Sequence, residues 1–507
     1  MKKRTTSLIL AFVLLFTVCG CGKGKTTSEY TEFESVIDSG INDNSANLNN
    51  SESKGSDTGN ESNSSSGNTV IAEKPNNAAT SATDTSGHSA ELANPVYIAE
   101  GKTAMDSNLN FGGKTFKMAK RSDSIYTTGK FKRLIASFEK KYNCKIDAKE
   151  LDFNEYSTLL SNAKASGDPY DIIFCHGSRF PEIPLSGVVT DLSQYLTTAD
   201  YDTGKGGIDI VKSSYFAKDK NLYGVVGGED AVYPTVIFYN KLMFSKNGLE
   251  DPYELYKSGK WTWSKLREQG KKVTDASKNL YYGNFGFAKF SVVHSLGVPL
   301  MTWKNNKVVL NTSDSNVTKG FQLLYDLFNT SKIFSQDHSN DIYKSFAAGN
   351  SFCTMEESQK YSVVCGYAAD SPAFNRDASN VGIVPLPQDS ASAKRGYPCG
   401  WYTAVMAGSG TSDPRVAVAF AKFWSTYTDP VKDKYELSDD YKALVKKLTS
   451  GNITNLHGGY TGSDGSASYV YFNYPICMDI ALGSDISSTV TSNLPKIQAC
   501  VDYTLKK

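Results

Sequence analysis

Between Lys114 and Phe174 the chain passes through five segments of alternating periodicity, and this restricts the fold more than any other feature. Lys114–Ala119 alternates polar and apolar residues, the period-two pattern of a strand. Thr127 or Thr128 then offers a hydroxyl cap to a helix in which Phe131, Leu134, Ile135 and Phe138 share one face. Cys144–Leu151 reads as a second strand, Phe153–Ser166 as a helix stopped by Gly167 and Pro169, and Asp171–Phe174 as a short buried strand. A β-α-β-α-β order requires crossover connections, and so predicts a mainly parallel sheet with helices on both faces. Ligands of such sheets bind just beyond the carboxyl ends of the strands. That rule selects the loop Cys175–Phe180, which carries His176, Ser178 and Arg179, and the segment Lys120–Ser122, which carries Arg121. Farther on, Thr235–Tyr239 and Val381–Leu386 read as strands. Val416, Ala419, Phe420, Phe423 and Trp424 repeat as a helix face.

The amino terminus has a different character. Lys2, Lys3 and Arg4 precede an apolar run, Leu8–Val18, which ends in Val18-Cys19-Gly20-Cys21. The run is too short to span a bilayer, which needs ~20 apolar residues, and its basic start and small residues mark an export signal. The ending resembles a bacterial lipobox. Residues 1–20 are therefore expected to be a lipoprotein signal peptide and Cys21 the acylated, palmitate-bearing residue; Cys19 is the poorer acceptor because branched Val18 precedes it. An ordinary cleaved signal followed by an incidental cysteine is the alternative. Residues 21–110 are rich in Ser, Asn, Gly, Thr and Asp, as in Ser45–Asn68. Such a segment buries too little apolar surface to offset its ordering entropy, and reads as a disordered polar tether spanning roughly 50 Å on average. A weak strand pairing around Pro95–Ile98 is the one exception expected.

The remaining part, about 400 residues from Phe111 to Lys507, is too long for one ordinary core and predicts two lobes. A net charge of +1 supplies no strong field for nucleic acid. Seven cysteines follow the signal: Cys144, Cys175, Cys353, Cys365, Cys399, Cys477 and Cys500. Their odd number, their apolar surroundings and the lack of any C-x-x-C pair predict buried thiols rather than disulfides, zinc or redox motifs, as suits a reducing, anaerobic habitat. Catalytic patterns are missing or broken. There are five histidines but no H-E-x-x-H and no G-x-S-x-G. Gly112-Gly113-Lys114-Thr115 lacks the first glycine of a phosphate loop, and Ser161–Lys164 fits S-x-x-K without a K-T-G partner. Tyr281-Tyr282 is similar to the paired tyrosines of ferric-iron receptors, but reads better as aromatic packing. No catalytic residue, metal site or cofactor is predicted, and the chain is read as a binding protein rather than an enzyme.

Several motifs in a fixed order then narrow the reading. Tyr170–Phe180 (YDIIFCHGSRF), Leu185–Leu196, Leu222–Gly228 (LYGVVGG), Pro234–Leu249, Trp261–Trp263, Phe346–Glu357 (FAAGNSFCTMEE), Val381–Gln388 (VGIVPLPQ) and Gly400–Ser409 (GWYTAVMAGS) closely resemble the maltose-binding-protein-like extracellular solute-binding proteins. The resemblance covers about 112–507. It implies a two-lobed periplasmic-binding-protein fold, each lobe a mainly parallel sheet flanked by helices, joined by a hinge of crossing strands. It places the crossings near Ala231–Phe238, near Pro398–Met406 and between about 440 and 455. One lobe would hold 112–232 and 407–445, the other 239–400 and 450–507.

Carbohydrate sites combine aromatic faces for the C–H surfaces of the sugar with planar polar groups for vicinal hydroxyls. By resemblance, Arg179 matches the family's sugar-contacting arginine; a structural ion pair is the alternative reading of the same residue. Cys175 stands where the maltose-binding type has an aromatic and Ser178 where it has a carboxylate, which argues against maltose. Arg121, His176 and Ser178 are expected beside Arg179. Glu229 and Tyr233 lie at the first crossing, Glu229 being a cleft residue or a solvated turn. Glu356 and Glu357 end a strand, one taking hydroxyls and the other facing solvent. Trp401 is a stacking platform or a core residue. Tyr471 and Tyr474 belong to a late aromatic run, and Trp303 is a cleft or a surface residue. Trp261 and Trp263 are read as packing the start of a helix.

These residues predict a monomeric lipoprotein on the extracellular face of the cytoplasmic membrane. It would bind an oligosaccharide between its lobes and deliver it to the transmembrane subunits of an ABC permease. Surface capture of polysaccharide without transport is the alternative. A carbohydrate-active enzyme would need two cleft carboxylates about 5–9.5 Å apart, for which Glu229 with Glu356 or Glu357 is the one pair available.

Overall fold

The three strands at the start of the folded body form the first sheet because the residues between them can cover it. The computed structural model describes residues 108–122, 126, 128–153, 155–196, 214–216, 221–227, 231–285, 289–304, 307–336, 342–390, 400–449 and 472–506. The signal, Cys21, the tether up to residue 107, Glu229, Cys399 and Tyr471 lie outside the described residues. β1 (Thr115–Arg121) pairs in parallel with β2 (Lys145–Leu151) on one side and with β3 (Ile172–His176) on the other. The helix Gly129–Tyr142 connects β1 to β2. Thr128 caps it by accepting from the amide of Phe131, and Asn143 closes it in the left-handed region. Its buried face, Phe131, Leu134, Phe138 and Tyr142, meets the helix Arg415–Thr426 over the sheet. Ring centroids are 5.6 Å apart for Phe131 and Phe174, 5.0 Å for Phe138 and Phe420, and 5.7 Å for Phe174 and Trp424. Full burial of each such ring stabilises by about 1.5–3 kcal/mol.

The second connection departs from the sequence expectation. The helix starts at Tyr156 rather than Phe153, because the Asp152 carboxylate accepts from the amide of Glu155 and holds the chain in a turn first. Phe153 is thereby left in the loop at the carboxyl end of β2.

In the second lobe β10 (Ser351–Glu357) lies parallel to β7 (Tyr281–Phe285) and antiparallel to β6 (Val232–Asn240), which also pairs with β11 (Val381–Pro385). Trp261 donates its indole N–H to the carbonyl of Pro385 at 2.8 Å, and Trp263 donates to the Ser295 hydroxyl at 3.0 Å. Both rings are buried beside the amino end of the helix Trp263–Val273. β8 (Met301–Lys304) and β9 (Lys307–Leu310) form a separate antiparallel pair.

Two long strands join the lobes. β12 (Gly400–Ala407) opposes β6 over three residues, Gly400 with Pro234, Trp401 with Tyr233 and Tyr402 with Val232. Beyond that contact they part. β6 runs on between β10 and β11, while β12 runs on between β3 and β5 (Asn221–Val225), whose outer neighbour is β4 (Ser214–Phe216). The cores divide at the same place: Val232 and Tyr402 belong to the first hydrophobic cluster, Tyr233 and Trp401 to the second.

The carboxyl-terminal helices shift one boundary. Tyr441 and Leu444, on the helix Asp439–Thr449, bury against Val236, Phe238 and Ile383 of the second lobe. Residues 439–445, assigned to the first lobe from sequence, therefore pack in the second. The cause is their apolar stripe, which fits the face of β6 and β11. The six described cysteines, Cys144, Cys175, Cys353, Cys365, Cys477 and Cys500, are buried, and no disulfide joins them. Burial pushes the thiols of Cys144 and Cys365 up to about 11. Among the described residues no helix is long and apolar enough to cross a membrane.

A Cβ at Gly400 would lie 2.6 Å from the carbonyl oxygen of Tyr233 and 2.7 Å from the Cα of Pro234. Both neighbours are backbone, so the crossing strands would have to separate. Gly400→Ala is expected to lower unfolding stability by about 1–3 kcal/mol, measured by urea denaturation; an unchanged midpoint would show that the crossing tolerates separation.

Candidate functional site

The carboxyl ends of β1, β2, β3 and β10 converge where β6 and β12 cross. Arg121 ends β1, and its guanidinium lies 4.2 Å from the centre of the Phe153 ring. The Arg179 guanidinium lies 4.8 Å from the same ring and donates to the Phe153 carbonyl at 2.8 Å. Phe153 meets His176 edge-on at 5.8 Å. His176 in turn stacks on Tyr233 at 6.0 Å and packs against Trp401 at 4.9 Å. Residues far apart in sequence thus form one continuous cluster.

The cluster has two layers. The lower layer is buried: His176, Ser178, Arg179, Tyr233 and Trp401 are each 8 % exposed or less. His176, Ser178, Arg179 and Tyr233 each make polar contacts inside the protein. Arg179 pairs with Glu182 at 3.5 Å, the ion-pair alternative of its sequence reading. The amide of Ser178 donates to His176 Nδ1 at 3.3 Å and the Ser178 hydroxyl sits 2.7 Å from the same nitrogen, so Nδ1 accepts and the ring proton belongs on Nε2. The Tyr233 hydroxyl bonds Thr403 Oγ1 at 2.6 Å, which also accepts from Tyr126 at 2.6 Å. Trp401 is held edge-to-face by Phe290 at 5.5 Å. In this conformation it is a buried wall, not an open platform.

The upper layer is half-buried and consists of Arg121, Phe153, Glu357 and Gln359. Glu356 and Glu357 have separate tasks. Glu356 is buried; its Oε2 accepts from the Tyr343 hydroxyl at 3.0 Å and its Oε1 from the amide of Glu357 at 2.9 Å. Glu357 projects the other way and accepts from the Gln359 side-chain amide at 2.6 Å. Burial above all, and then the charge of Glu356, pushes the Glu357 carboxyl up to about 7. Lys360, the Gln359 hydrogen bond and Arg121 oppose that rise. Arg121 belongs to the first lobe and Glu357 to the second, so the two lobes present opposite charges at the crossing.

Two further sequence candidates are described by their backbone alone. Trp303 lies in the β8–β9 pair opposite Val308, and Tyr474 lies in the helical segment Phe472–Met478; their side chains are outside the described residues. The sequence alone does not single out Phe153 or Gln359. The strand-end rule that found Arg121 and Arg179 applies equally to Phe153, two residues past β2, once the helix is known to start at Tyr156. Among the described residues no group of His, Cys, Asp and Glu is placed to hold a metal ion. The arrangement can offer one aromatic ring, the Arg121 guanidinium and a titrating carboxyl to a ligand lying along the crossing.

Comparison with known proteins follows the same lines. The model of the family described as bacterial extracellular solute-binding protein matches residues 124–428. Among solved structures, an ABC substrate-binding protein from Listeria monocytogenes in complex with cycloalternan matches with a TM-score of 0.53 and 16 % identity, covering 76 % of this chain and 98 % of that one. The galacto-N-biose-/lacto-N-biose I-binding protein of the ABC transporter from Bifidobacterium longum, in complex with lacto-N-biose, matches with a TM-score of 0.56 and 15 % identity, covering 77 % and 99 %. An extracellular solute-binding protein from Staphylococcus aureus in complex with maltose matches with a TM-score of 0.55 and 14 % identity, covering 76 % and 96 %. At these identities the likeness shows the fold, which is the two-lobed one. No curated protein matches the chain by sequence.

Glu357 provides a titration that can be measured. Its folded pKa is raised above the ordinary carboxylate value, so the native state holds this proton more tightly than the unfolded chain. Stability from this group is complete below about pH 4.5 and is lost as pH rises through about 7. Glu357→Gln is expected to remove about 1–2 kcal/mol of that decline, after discounting for partial exposure. Urea denaturation between pH 5 and 8 checks it; parallel pH curves for the two proteins would show that Glu357 titrates normally.

Proposed function

Since the chain belongs to the bacterial extracellular solute-binding protein family, we propose that it captures an oligosaccharide at the crossing of its lobes and presents it to an ABC permease. The observation that carries this reading is the upper layer of the site. Phe153 supplies a ring face, and the guanidinium of Arg121 and the carboxyl of Glu357 flank the crossing from opposite lobes. A ring face pairs with the C–H surface of a sugar, while guanidinium and carboxyl groups take vicinal hydroxyls in bidentate fashion. A metal or peptide would need a different donor set. The relatives whose structures hold cycloalternan, lacto-N-biose and maltose support the ligand class.

In this reading the ligand acts as a bridge. Contacts to Arg121 and Phe153 on one side and to Glu357 on the other exist together only when the lobes approach, so the ligand binds the closed form better and shifts the hinge toward it. The buried lower layer keeps the strand ends fixed while this happens. The cleft binds and releases without bond chemistry. Acylation of Cys21 would confine the receptor to the outer face of the membrane near its permease, and the polar segment 21–110 would give it reach.

Isothermal titration calorimetry against a panel of oligosaccharides, chosen to vary linkage and length, tests the reading. At least one is expected to bind, with Phe153→Ala and Arg121→Ala each weakening it about tenfold or more. Binding of a peptide or metal ion with no response to any glycan would overturn it.

A further inference from the structure

A pocket of about 550 Å³ opens on the second lobe away from the strand crossing. Its floor is Tyr239 on β6 and Val381 on β11, and its walls come from the helices Pro252–Lys257, Tyr361–Ala369 and Asp439–Thr449. Four further tyrosines, Tyr253, Tyr361, Tyr435 and Tyr441, face into it, with Tyr253 and Tyr441 edge-to-face at 5.3 Å. Two charged groups lie among them. The Asp251 carboxylate takes the Tyr239 hydroxyl at 2.8 and 3.0 Å; Oδ1 also accepts from the amides of Tyr253 and Glu254, whereas Oδ2 meets no second donor among the described residues. The Lys241 ammonium lies 5.4 Å from the centre of the Tyr441 ring and, among the described residues, gives one hydrogen bond, to the Ser379 carbonyl at 2.9 Å. Two of its three N–H groups meet no acceptor among those residues and can serve a ligand. The lining charges are Lys241, Lys257 and Lys434 against Asp251, Glu254, Glu436 and Asp440, which nearly cancel.

We infer that this pocket is a second binding site, for a short neutral segment of glycan. Near-cancelling charge gives no field for an anion or a polycation. An apolar ligand would shut water away from the Asp251 oxygen and the Lys241 protons and give them nothing in exchange, which is unfavourable. A polyhydroxylated ring satisfies both, donating to Asp251 and accepting from Lys241, while its C–H faces meet the tyrosines. The volume falls within the ordinary range of small-molecule sites. The inference rests on the carbohydrate reading of the protein, but it concerns a separate surface. A polymer held here would stay close to the crossing site while that site samples other segments, raising the effective concentration of ligand there. One wall, Lys434–Glu436 with Ser438, is the chain that returns from the helix Arg415–Thr426 of the first lobe, so occupancy would also fix that connection.

The test is calorimetric stoichiometry on the full-length chain. Titrants are linear and cyclic oligosaccharides of glucose, galactose, mannose and xylose, applied to the wild type, to Arg121→Ala/Glu357→Gln and to Lys241→Gln/Tyr435→Ala. Glu436→Trp, at an exposed position on the rim, serves as a second pocket variant that blocks the mouth without touching the core. Two moles of glycan per mole of wild type are expected. The crossing variant should lose one site, and each pocket variant should lose the other, with at least a tenfold fall in its affinity. A single mole that disappears in the crossing variant and is indifferent to both pocket variants overturns the second site and leaves the first intact. A single mole that responds only to the pocket variants overturns the crossing site instead. No binding of any glycan by the wild type overturns both.

Discussion

The short contact between β6 and β12 is the constraint on which the rest of the molecule depends. Three residue pairs, Val232–Tyr402, Tyr233–Trp401 and Pro234–Gly400, are all that the two strands share before they diverge into different sheets. Each strand is buried along its whole length and carries apolar residues for two cores. A connection made this way is stiff along the strands but contains few hydrogen bonds across them. It can therefore bend without unfolding either lobe. Gly400 allows the close approach, since any side chain there meets the backbone of Tyr233 and Pro234.

The candidate site inherits its properties from that crossing. Its lower layer, His176, Tyr233, Thr403 and Trp401, is hydrogen-bonded and ring-packed around the shared residues and behaves as part of the core. Its upper layer is what a ligand can reach. The cost of drawing Glu357 into this half-buried position beside Glu356 shows as its raised pKa, which Lys360, the Gln359 hydrogen bond and, last, Arg121 across the crossing oppose. Closure that brings Arg121 nearer would favour the charged carboxylate. A polar ligand between them would add its hydroxyls to the Gln359 hydrogen bond at Glu357.

Much of this was legible in the sequence, and the failures have physical causes. The helix Gly129–Tyr142 and the strand β1 were readable because each buries a face of its own period, and Thr128 announced the cap. The strand-end rule applied to those elements points to Arg121 and the His176–Arg179 turn, which do lie at the ends of β1 and β3. Phe153 was missed because its neighbours fit a helical pattern, and the turn made by Asp152 overrode it. Tyr441 and Leu444 show the same limit at longer range. Their stripe predicts burial, but only the shape of the β6–β11 face decides which lobe receives it. Trp401 opposes Tyr233 where the strands cross, and sequence cannot show that Phe290 and His176 enclose it. The tyrosine pocket was invisible for a related reason, its lining being drawn from segments spread between Tyr239 and Tyr441.

In the proposed function, solute closes the lobes around the crossing. The most direct measurement is the distance between spin labels at exposed Lys149 on β2 and exposed Lys319 on the helix Ser315–Tyr325, each replaced by cysteine. The described native thiols are buried and should not compete for label. Double electron–electron resonance with and without a bound oligosaccharide should give a saturable shortening that is lost in Arg121→Ala/Glu357→Gln. An unchanged distance distribution in the presence of a glycan that calorimetry shows to be bound would contradict the account.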